Sequence, residues 1–232
     1  NREISIWYDL KDRKDHFVCI WVNRNAKRKR PSDVLNSWKL FLDKLEKEKG
    51  HRKATLIMHT EPTDNEGPNL FKVVEMLGIQ DNVTFSRERI GFNEMNILYN
   101  ISDFCINMSF AEGFGLGTLE AMMTGTPIIA SKTGGMTRQV VDHRDGTENG
   151  VALDIKQKTL VGSQSVPYIY EDYSSCEDAA DGMMKLYSMN PYEKSLLSDK
   201  VLKYAQEEFS LQKTIDQWHE TMLDTVKNCK SK

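Results

Sequence analysis

The chain has 232 residues and 39% of them are hydrophobic, so it can bury the core of one α/β domain. Its formal net charge of -3 excludes the global basic field on which non-specific binding to nucleic acid depends. We therefore expect a single domain, residues 1–232, that does not bind nucleic acid.

Strand and helix patterns alternate over the first half of the chain. Short apolar, β-rich runs predict strands at residues 16–22, 54–58, 82–85, 103–108 and 126–130. Between them, apolar residues at helical spacing predict a helix from Pro31 to Gly50 and further helices at 67–77, 93–100 and 116–123. Repeated βα units imply an open parallel sheet with helices on both faces.

The last third of the chain is more helical. Helices are predicted at 175–189, 191–209 and 211–226, separated by Asn190-Pro191 and by Ser210. Residues 149–173 show no regular pattern and are predicted to be irregular. The sequence contains no internal repeat, so the prediction remains one domain with a helical C-terminal end.

The cysteines and the apolar runs bear on location. Cys19 and Cys105 lie inside predicted core strands, and the absence of C-x-x-C spacing is typical of a reducing cytoplasm. No apolar run approaches the roughly 20 residues of a membrane-spanning helix, and the N-terminus lacks signal-peptide character. We expect a cytoplasmic piece of a longer protein, for which peripheral membrane association stays open.

The most informative segment is SFAEGFGLGTLE, residues 109–120, which follows the fourth strand and opens a helix. Ligands of open parallel sheets bind beyond the carboxyl ends of the strands, where glycines let backbone N–H groups approach a phosphate. Gly113, Gly115 and Gly117 are suited to that approach, although a tight turn with small residues for helix packing is the alternative. The spacing differs from G-x-G-x-x-G and the turn follows the wrong strand, which disfavours a nicotinamide- or flavin-dependent oxidoreductase.

Two carboxylates flank this glycine turn. Glu112 lies in the loop and Glu120 about one turn into the helix, so both can face one ligand. A carboxylate beside phosphate-binding amides repels phosphate, which favours hydrogen bonds from sugar hydroxyls instead. The alternative for Glu120 is a charge that complements the helix dipole.

The segment EGFGLGTLEAM at 112–122, followed by GTPII at 125–129 and TGG at 133–135, resembles the E-x7-E signature of retaining glycosyltransferase family four. The resemblance covers almost the whole chain and implies the C-terminal, donor-binding, Rossmann-like half of a GT-B fold. It implies transfer of a sugar from a UDP-, GDP- or ADP-sugar to a hydroxyl of an acceptor glycan or another acceptor, without a cofactor. The acceptor-binding N-terminal domain would lie outside this chain.

The resemblance also implies roles for single residues. Glu112 would lie beside the transferred sugar, and Glu120 would hold the ribose hydroxyls. Arg87, after the third strand, would lie near the nucleotide base. The glycine turn and the start of the helix would line the sugar, the diphosphate and the ribose through Gly113, Phe114, Gly115, Leu116, Thr118 and Leu119.

The loop after the first strand fits the same scheme. The family usually places an Arg there and a Lys five residues later, which Arg24 and Lys29 match. Two cations would stabilise the departing diphosphate without a metal, and no D-x-D motif or metal-ligand spacing is present. A solvated basic loop is the alternative, and Lys27 and Arg28 are assigned no role.

Further expectations concern the missing half and the departures from the family pattern. In the family, a Glu commonly follows the Gly-Gly pair, where this chain has Met136 to Gln139, so the donor sugar and base stay open.

The resemblance implies that the helix at 211–226 packs across the partner domain, leaving its apolar side chains uncovered here. We expect the isolated domain to be inactive or weakly active. The alternative function is a non-catalytic nucleotide-sugar-binding module.

Overall fold

The computed structural model describes residues 13–229. Its centre is a six-stranded sheet in the order β3-β2-β1-β4-β5-β6, in which every neighbouring pair is parallel. The predicted Rossmann-like open parallel sheet is therefore confirmed. The strands are β1 (Phe17–Val22), β2 (Ala54–His59), β3 (Val83–Ser86), β4 (Phe104–Asn107), β5 (Ile128–Ser131) and β6 (Gly150–Leu153).

The helices connect these strands and continue to the end of the described chain. None of those between residues 13 and 229 combines the length and apolar composition needed to cross a lipid bilayer. They are α1 (Pro31–Lys49), α2 (Leu70–Leu77), α3 (Phe92–Asn100), α4 (Leu116–Met123), α5 (Met136–Val140), α6 (Cys176–Ser188), α7 (Pro191–Glu208) and α8 (Leu211–Asn228).

Local signals in the sequence fix most helix ends. Proline at the first position starts α1, and Gly50 ends it with a left-handed backbone at φ +75°. In α2 the start is three residues later than predicted, because the Asn69 side chain caps the helix by accepting from Lys72 N at 3.2 Å. Asn190 and Glu193 form a reciprocal capping box that starts α7.

Two hydrophobic cores lie on opposite faces of the sheet. Cys19 and Trp21 point to one face and Val18 and Ile20 to the other, because successive side chains of a strand alternate. The first core is covered by α1, α2 and α6, and the second by α3, α4, α5 and α7. Trp38 is fully buried in the first core and donates its indole N–H to the Asn82 carbonyl at 3.1 Å.

The prediction that residues 149–173 are irregular is wrong. They contain β6 and most of an antiparallel ribbon, β7 (Ile155–Ser163) paired with β8 (Val166–Ser174). Most of the side chains along β7 are exposed, so its sequence lacks the alternation of apolar and polar residues that a half-buried strand shows.

The last helix lies on the surface of the domain. No residue of α8 is buried, and its apolar side chains recur at helical spacing along one stripe. Trp218, Met222 and Val226 on this stripe are 61%, 57% and 74% exposed, as expected from the sequence.

Candidate donor site

The candidate site lies where the strand order reverses. β1 and β4 are neighbours in the sheet although β2 and β3 separate them in the chain, so their following loops leave the carboxyl edge in different directions. The Lys27–Lys29 turn follows β1, and the Glu112 loop follows β4. Phe110 N donates to the Arg28 carbonyl at 3.1 Å and joins the two loops.

Two cationic side chains of the first loop contact Glu112. Lys29 Nζ contacts Glu112 Oε2, and Arg28 Nη1 lies 3.5 Å from the same oxygen. The Lys29 and Glu112 side chains are 9% and 11% exposed, so this pair is largely removed from water. Burial lowers the pKa of Lys29, and the contact with Glu112 opposes that shift. The structure thus brings two predicted residues together and adds Arg28, to which the sequence assigned no role.

Arg24 pairs with a different carboxylate, that of Asp64. Its Nε and Nη2 atoms lie 2.8 Å and 3.0 Å from the carboxylate oxygens of Asp64, in the loop after β2. The hydrogen bond to Asp64 raises the pKa of Arg24. The Arg24 side chain is 64% exposed, and exposed ion pairs are weak, so a bound anion can compete for the guanidinium.

A second glycine turn supports the Glu112 loop. A Cβ on Gly134 would lie 1.8 Å from the Glu112 carbonyl oxygen, and the backbone there is left-handed at φ +48°. Gly135 N donates to the Gly113 carbonyl at 3.2 Å. Only glycine fits this approach, which explains the TGG motif at 133–135.

A buried glutamine holds the turn that precedes α4. Gln139 is fully buried, and its amide nitrogen donates to the carbonyls of Phe114 at 2.7 Å and Gly115 at 3.2 Å. The Thr118 hydroxyl also donates to the Gly115 carbonyl, at 2.8 Å, so it is turned into the protein. Sequence reasoning missed Gln139 because α5 is only five residues long and has no pattern of its own.

The start of α4 faces the crevice. Gly115 has φ +90°, and a Cβ on Gly117 would lie 2.9 Å from the Val22 carbonyl at the end of β1. The helix therefore begins directly against the end of β1, at the carboxyl edge of the sheet. Phe114 and Leu116 are 42% and 67% exposed on this side, and Gly113 is exposed beside them.

Glu120 borders a cavity of about 510 Å³ between α3 and α4. Tyr99 donates its hydroxyl to Glu120 Oε2 at 2.8 Å, and burial is the main cause that raises the pKa of Tyr99. Arg87 does not line the cavity, because it lies 3.4 Å from Glu61 Oε2 with its guanidinium over the Phe71 ring. Apolar side chains dominate the lining, which includes Ile90, Phe92, Met95, Leu116, Leu119 and Met123.

Residues 8–162 match the family model described as glycosyl transferases group 1. Among the curated relatives is the D-inositol 3-phosphate glycosyltransferase of Stackebrandtia nassauensis, 36% identical over 97 residues that cover 40% of this chain and 22% of that protein. The enzyme of the same description from Pseudarthrobacter chlorophenolicus is 28% identical over 145 residues, 60% of this chain and 33% of that protein. The matches span between a fifth and a third of these relatives.

Solved structures share the fold. HepE of Anabaena, in complex with UDP and glucose, has a TM-score of 0.69 at 17% identity, covering 95% of this chain and 52% of that one. Sucrose-phosphate synthase of Thermosynechococcus elongatus has a TM-score of 0.67 at 19% identity, covering 94% and 48%. The C-terminal domain of a group 1 family protein, LpcC of Francisella tularensis, has a TM-score of 0.62 at 20% identity, covering 91% and 95%.

Proposed function

The chain belongs to the group 1 glycosyl transferases, and on that premise we propose that it is the donor-binding half of a retaining GT-B hexosyltransferase. The donor is a nucleoside-diphosphate sugar. The observation that carries this proposal is the position of Glu112, which lies between the Lys29 turn and the first turn of α4.

The diphosphate is the part of the donor that the Lys29 turn and the start of α4 would bind. Breaking the bond between the anomeric carbon and the diphosphate leaves negative charge on the phosphate oxygen. Lys29, Arg28 and the first N–H groups of α4 lie where they can stabilise that charge. Arg24 would join them by leaving Asp64, because its present ion pair is exposed.

Glu112 would orient the transferred sugar through hydrogen bonds from its hydroxyls. As the bond to the diphosphate breaks, the acceptor hydroxyl attacks the anomeric carbon on the face that the diphosphate leaves and passes its proton to the departing phosphate oxygen, which retains the configuration. Glu112 is held by two cations and by the glycine turn at 133–135, so its position is fixed before a donor arrives.

The nucleoside would occupy the cavity between α3 and α4. Glu120 borders the cavity and has acceptor oxygens for the ribose hydroxyls, while apolar side chains such as Ile90 and Met95 suit the faces of a base. Glu112 and Glu120 then bind opposite ends of the donor, and the first turn of α4 lies between them. HepE, a neighbour with this fold, was solved in complex with UDP and glucose, which supports a nucleotide-sugar donor.

The acceptor domain would be supplied by the rest of a longer protein. The chain spans about half the length of the structural neighbours HepE and sucrose-phosphate synthase. The exposed apolar stripe of α8 is the surface that we expect such a domain to cover. The isolated chain would therefore bind the donor but transfer sugar slowly or not at all. We propose a cytoplasmic, metal-independent enzyme.

Calorimetric titration of the chain with UDP, GDP and ADP tests the proposal. We expect one nucleotide to bind selectively, and Glu120→Ala and Arg24→Ala each to weaken it. Failure of all three nucleotides to bind would contradict the donor site. Nucleotide binding without transfer, even after the missing half is added in trans, would instead favour a non-catalytic binding module.

A further inference from the structure

The ribbon formed by β7 and β8 is attached beside Glu112. Asp172 N donates to the Phe110 carbonyl at 2.8 Å, and Asp172 Oδ2 accepts from the Thr133 hydroxyl at 2.8 Å. Phe110 precedes Glu112 by two residues, and Thr133 begins the glycine turn that packs against it. The base of the ribbon therefore contacts both loops that enclose the candidate sugar position.

Arg30 connects the inner end of the ribbon to the sheet. Its guanidinium donates to the Met108 carbonyl at 3.4 Å and to the Ser174 carbonyl at 3.2 Å, and it lies over the Tyr173 ring. Arg30 is buried although it carries a charge, so it ties the end of β8 firmly to the end of β4. These contacts fix the direction in which the ribbon leaves the sheet.

The outer part of the ribbon carries no charge. Residues 159–170 include no Asp, Glu, Lys or Arg, whereas 28% of the whole chain is charged. Apolar and aromatic side chains are exposed there, with Tyr168 at 66%, Tyr170 at 59% and Leu160 at 54%. Leu160, Tyr168 and Tyr170 belong to neither hydrophobic core, and a two-stranded ribbon by itself is marginally stable in water, so such exposure indicates a binding surface.

One face of the ribbon presents these side chains in a row. Leu160 pairs with Tyr170 and Lys158 with Asp172, and opposed residues share a face. Tyr168 comes next on β8, at a bulge between the Val161–Ile169 and Ser163–Val166 pairs, and it lies opposite Gly162, which follows Leu160 on the same face of β7. The Cδ1 atom of Tyr168 lies 2.9 Å from where a Cβ on Gly162 would be, so the ring needs a glycine opposite it.

The row starts close to the candidate sugar position. Lys158 Nζ lies 3.2 Å from Asp172 and 5.8 Å from the centroid of the Tyr170 ring, which holds the inner end of the row. We call the surface of Leu160, Tyr168 and Tyr170 the tyrosine face. It leads outward from Asp172 and the Thr133 turn.

The chemistry of the tyrosine face selects one class of ligand. An anionic ligand or a lipid surface needs cations, and residues 159–170 have none, while Lys158 at the inner end of the row is paired with Asp172. The C–H faces of sugar rings pack on aromatic rings, and their hydroxyls bond to phenol and side-chain hydroxyl groups. We propose that the tyrosine face binds a neutral oligosaccharide, the outer part of an acceptor whose reacting end the missing domain would hold, an assignment that rests on the proposed function.

An array of immobilised neutral, sialylated and sulfated glycans tests this inference on the labelled chain. The variants are Tyr168→Ala with Tyr170→Ala, and Tyr168→Trp with Tyr170→Trp, and the control is Tyr192→Ala on α7, where the tyrosine is 72% exposed. We expect neutral glycans to bind to the wild type, the control and the tryptophan variant. The double alanine variant should bind at least tenfold more weakly while its thermal unfolding is unchanged.

A parallel titration with UDP, GDP and ADP separates the two proposals. Nucleotide binding without neutral-glycan binding, equal glycan binding by the double alanine variant, or binding of acidic glycans alone each overturns the tyrosine face and leaves the donor site standing. Glycan binding without any nucleotide binding overturns the acceptor assignment together with the proposed function. The absence of both kinds of binding refutes both proposals.

Discussion

Lys29 and Glu112, 83 residues apart in the chain, form an ion pair that is almost entirely screened from water. The pair couples the group that would hold the diphosphate to the group that would hold the sugar. Each residue can be removed separately, which distinguishes the two roles.

Lys29→Met should weaken binding of UDP, or of whichever of UDP, GDP and ADP the wild type binds, roughly 10- to 100-fold, because a hydrogen bond to a charged group contributes about 1.5–3 kcal/mol. Glu112→Gln should leave UDP binding unchanged or tighter, since it removes a competing partner of Lys29. Calorimetry measures both, with Lys27→Met as the control because Lys27 is exposed in the same turn. Equal losses in the Lys27 and Lys29 variants would contradict a specific phosphate contact.

Donor binding should also depend on alkaline pH. Burial lowers the pKa of Lys29 below its ordinary 10.5, and a bound diphosphate favours the protonated amine. Nucleotide affinity should therefore be constant at neutral pH and fall as pH rises through the lowered pKa, by up to about tenfold per pH unit. The fall should begin below pH 10.5.

Lys29→Arg is the matched variant for this measurement, because arginine stays protonated throughout the range. Its affinity profile should be flatter than that of the wild type between neutral pH and pH 10.5. Parallel profiles for the two proteins would show that another group governs the pH dependence.

Gly134→Ala should destabilise the domain more than Gly146→Ala. Both glycines have positive φ, at +48° and +76°, so each substitution costs about 1–2 kcal/mol of backbone strain. Only Gly134 has a backbone oxygen in the way, that of Glu112 at 1.8 Å, whereas nothing lies within 4 Å at Gly146. Urea unfolding should show the difference, and only Gly134→Ala should weaken UDP binding.

Tyr99→Phe should remove a hydrogen bond that positions the Glu120 carboxylate. The lost hydroxyl donates to Glu120 at 2.8 Å, so unfolding free energy should fall by about 1 kcal/mol. If Glu120 binds the ribose, the ratio of affinities for UDP and 2′-deoxy-UDP should fall roughly two- to tenfold. Tyr187→Phe is the control, since that hydroxyl contacts His51 at 3.5 Å near the opposite edge of the sheet. If the ratio of affinities for UDP and 2′-deoxy-UDP is unchanged in Tyr99→Phe, this tyrosine has no role in ribose binding.

Trp218→Ala should change the unfolding free energy of the chain by less than about 0.5 kcal/mol, because the side chain packs on nothing that folding buries. Trp38→Ala, in the first core, should cost about 3–5 kcal/mol. Hydrogen exchange should be fast along α8 in the isolated chain. Strong protection there would mean that α8 is covered, in a dimer for example.

Much of the fold could be predicted because local signals and burial agree. The strand from Phe17 is apolar throughout since helices cover both faces, and Gly50 ends its helix because glycine tolerates the left-handed backbone. The ribbon could not be predicted in this way. It packs against buried residues at its inner end, through Tyr173 and Ser174, and no buried face imposes a periodic pattern on outer residues such as Thr159 and Tyr168.

Some residues of the candidate site could likewise be predicted from the sequence, and others could not. The glycine turn and the two glutamates stand close together in sequence and share one recognisable spacing. Arg28, Gln139 and Tyr99 could not be found, because each acts through a contact with a residue more than twenty positions away. Arg24 lies in the predicted loop after β1, but its guanidinium pairs with Asp64, which only the folding of the loop after β2 brings near it.

The reversal of strand order at β1 and β4 has a consequence for biosynthesis. A growing polypeptide exposes the Lys29 turn long before the strand that will lie beside it has been made. Gln139, which holds the turn before α4, follows later still, so any nascent chain shorter than this lacks the contacts that fix that turn. Nucleotide binding should therefore appear only late in translation.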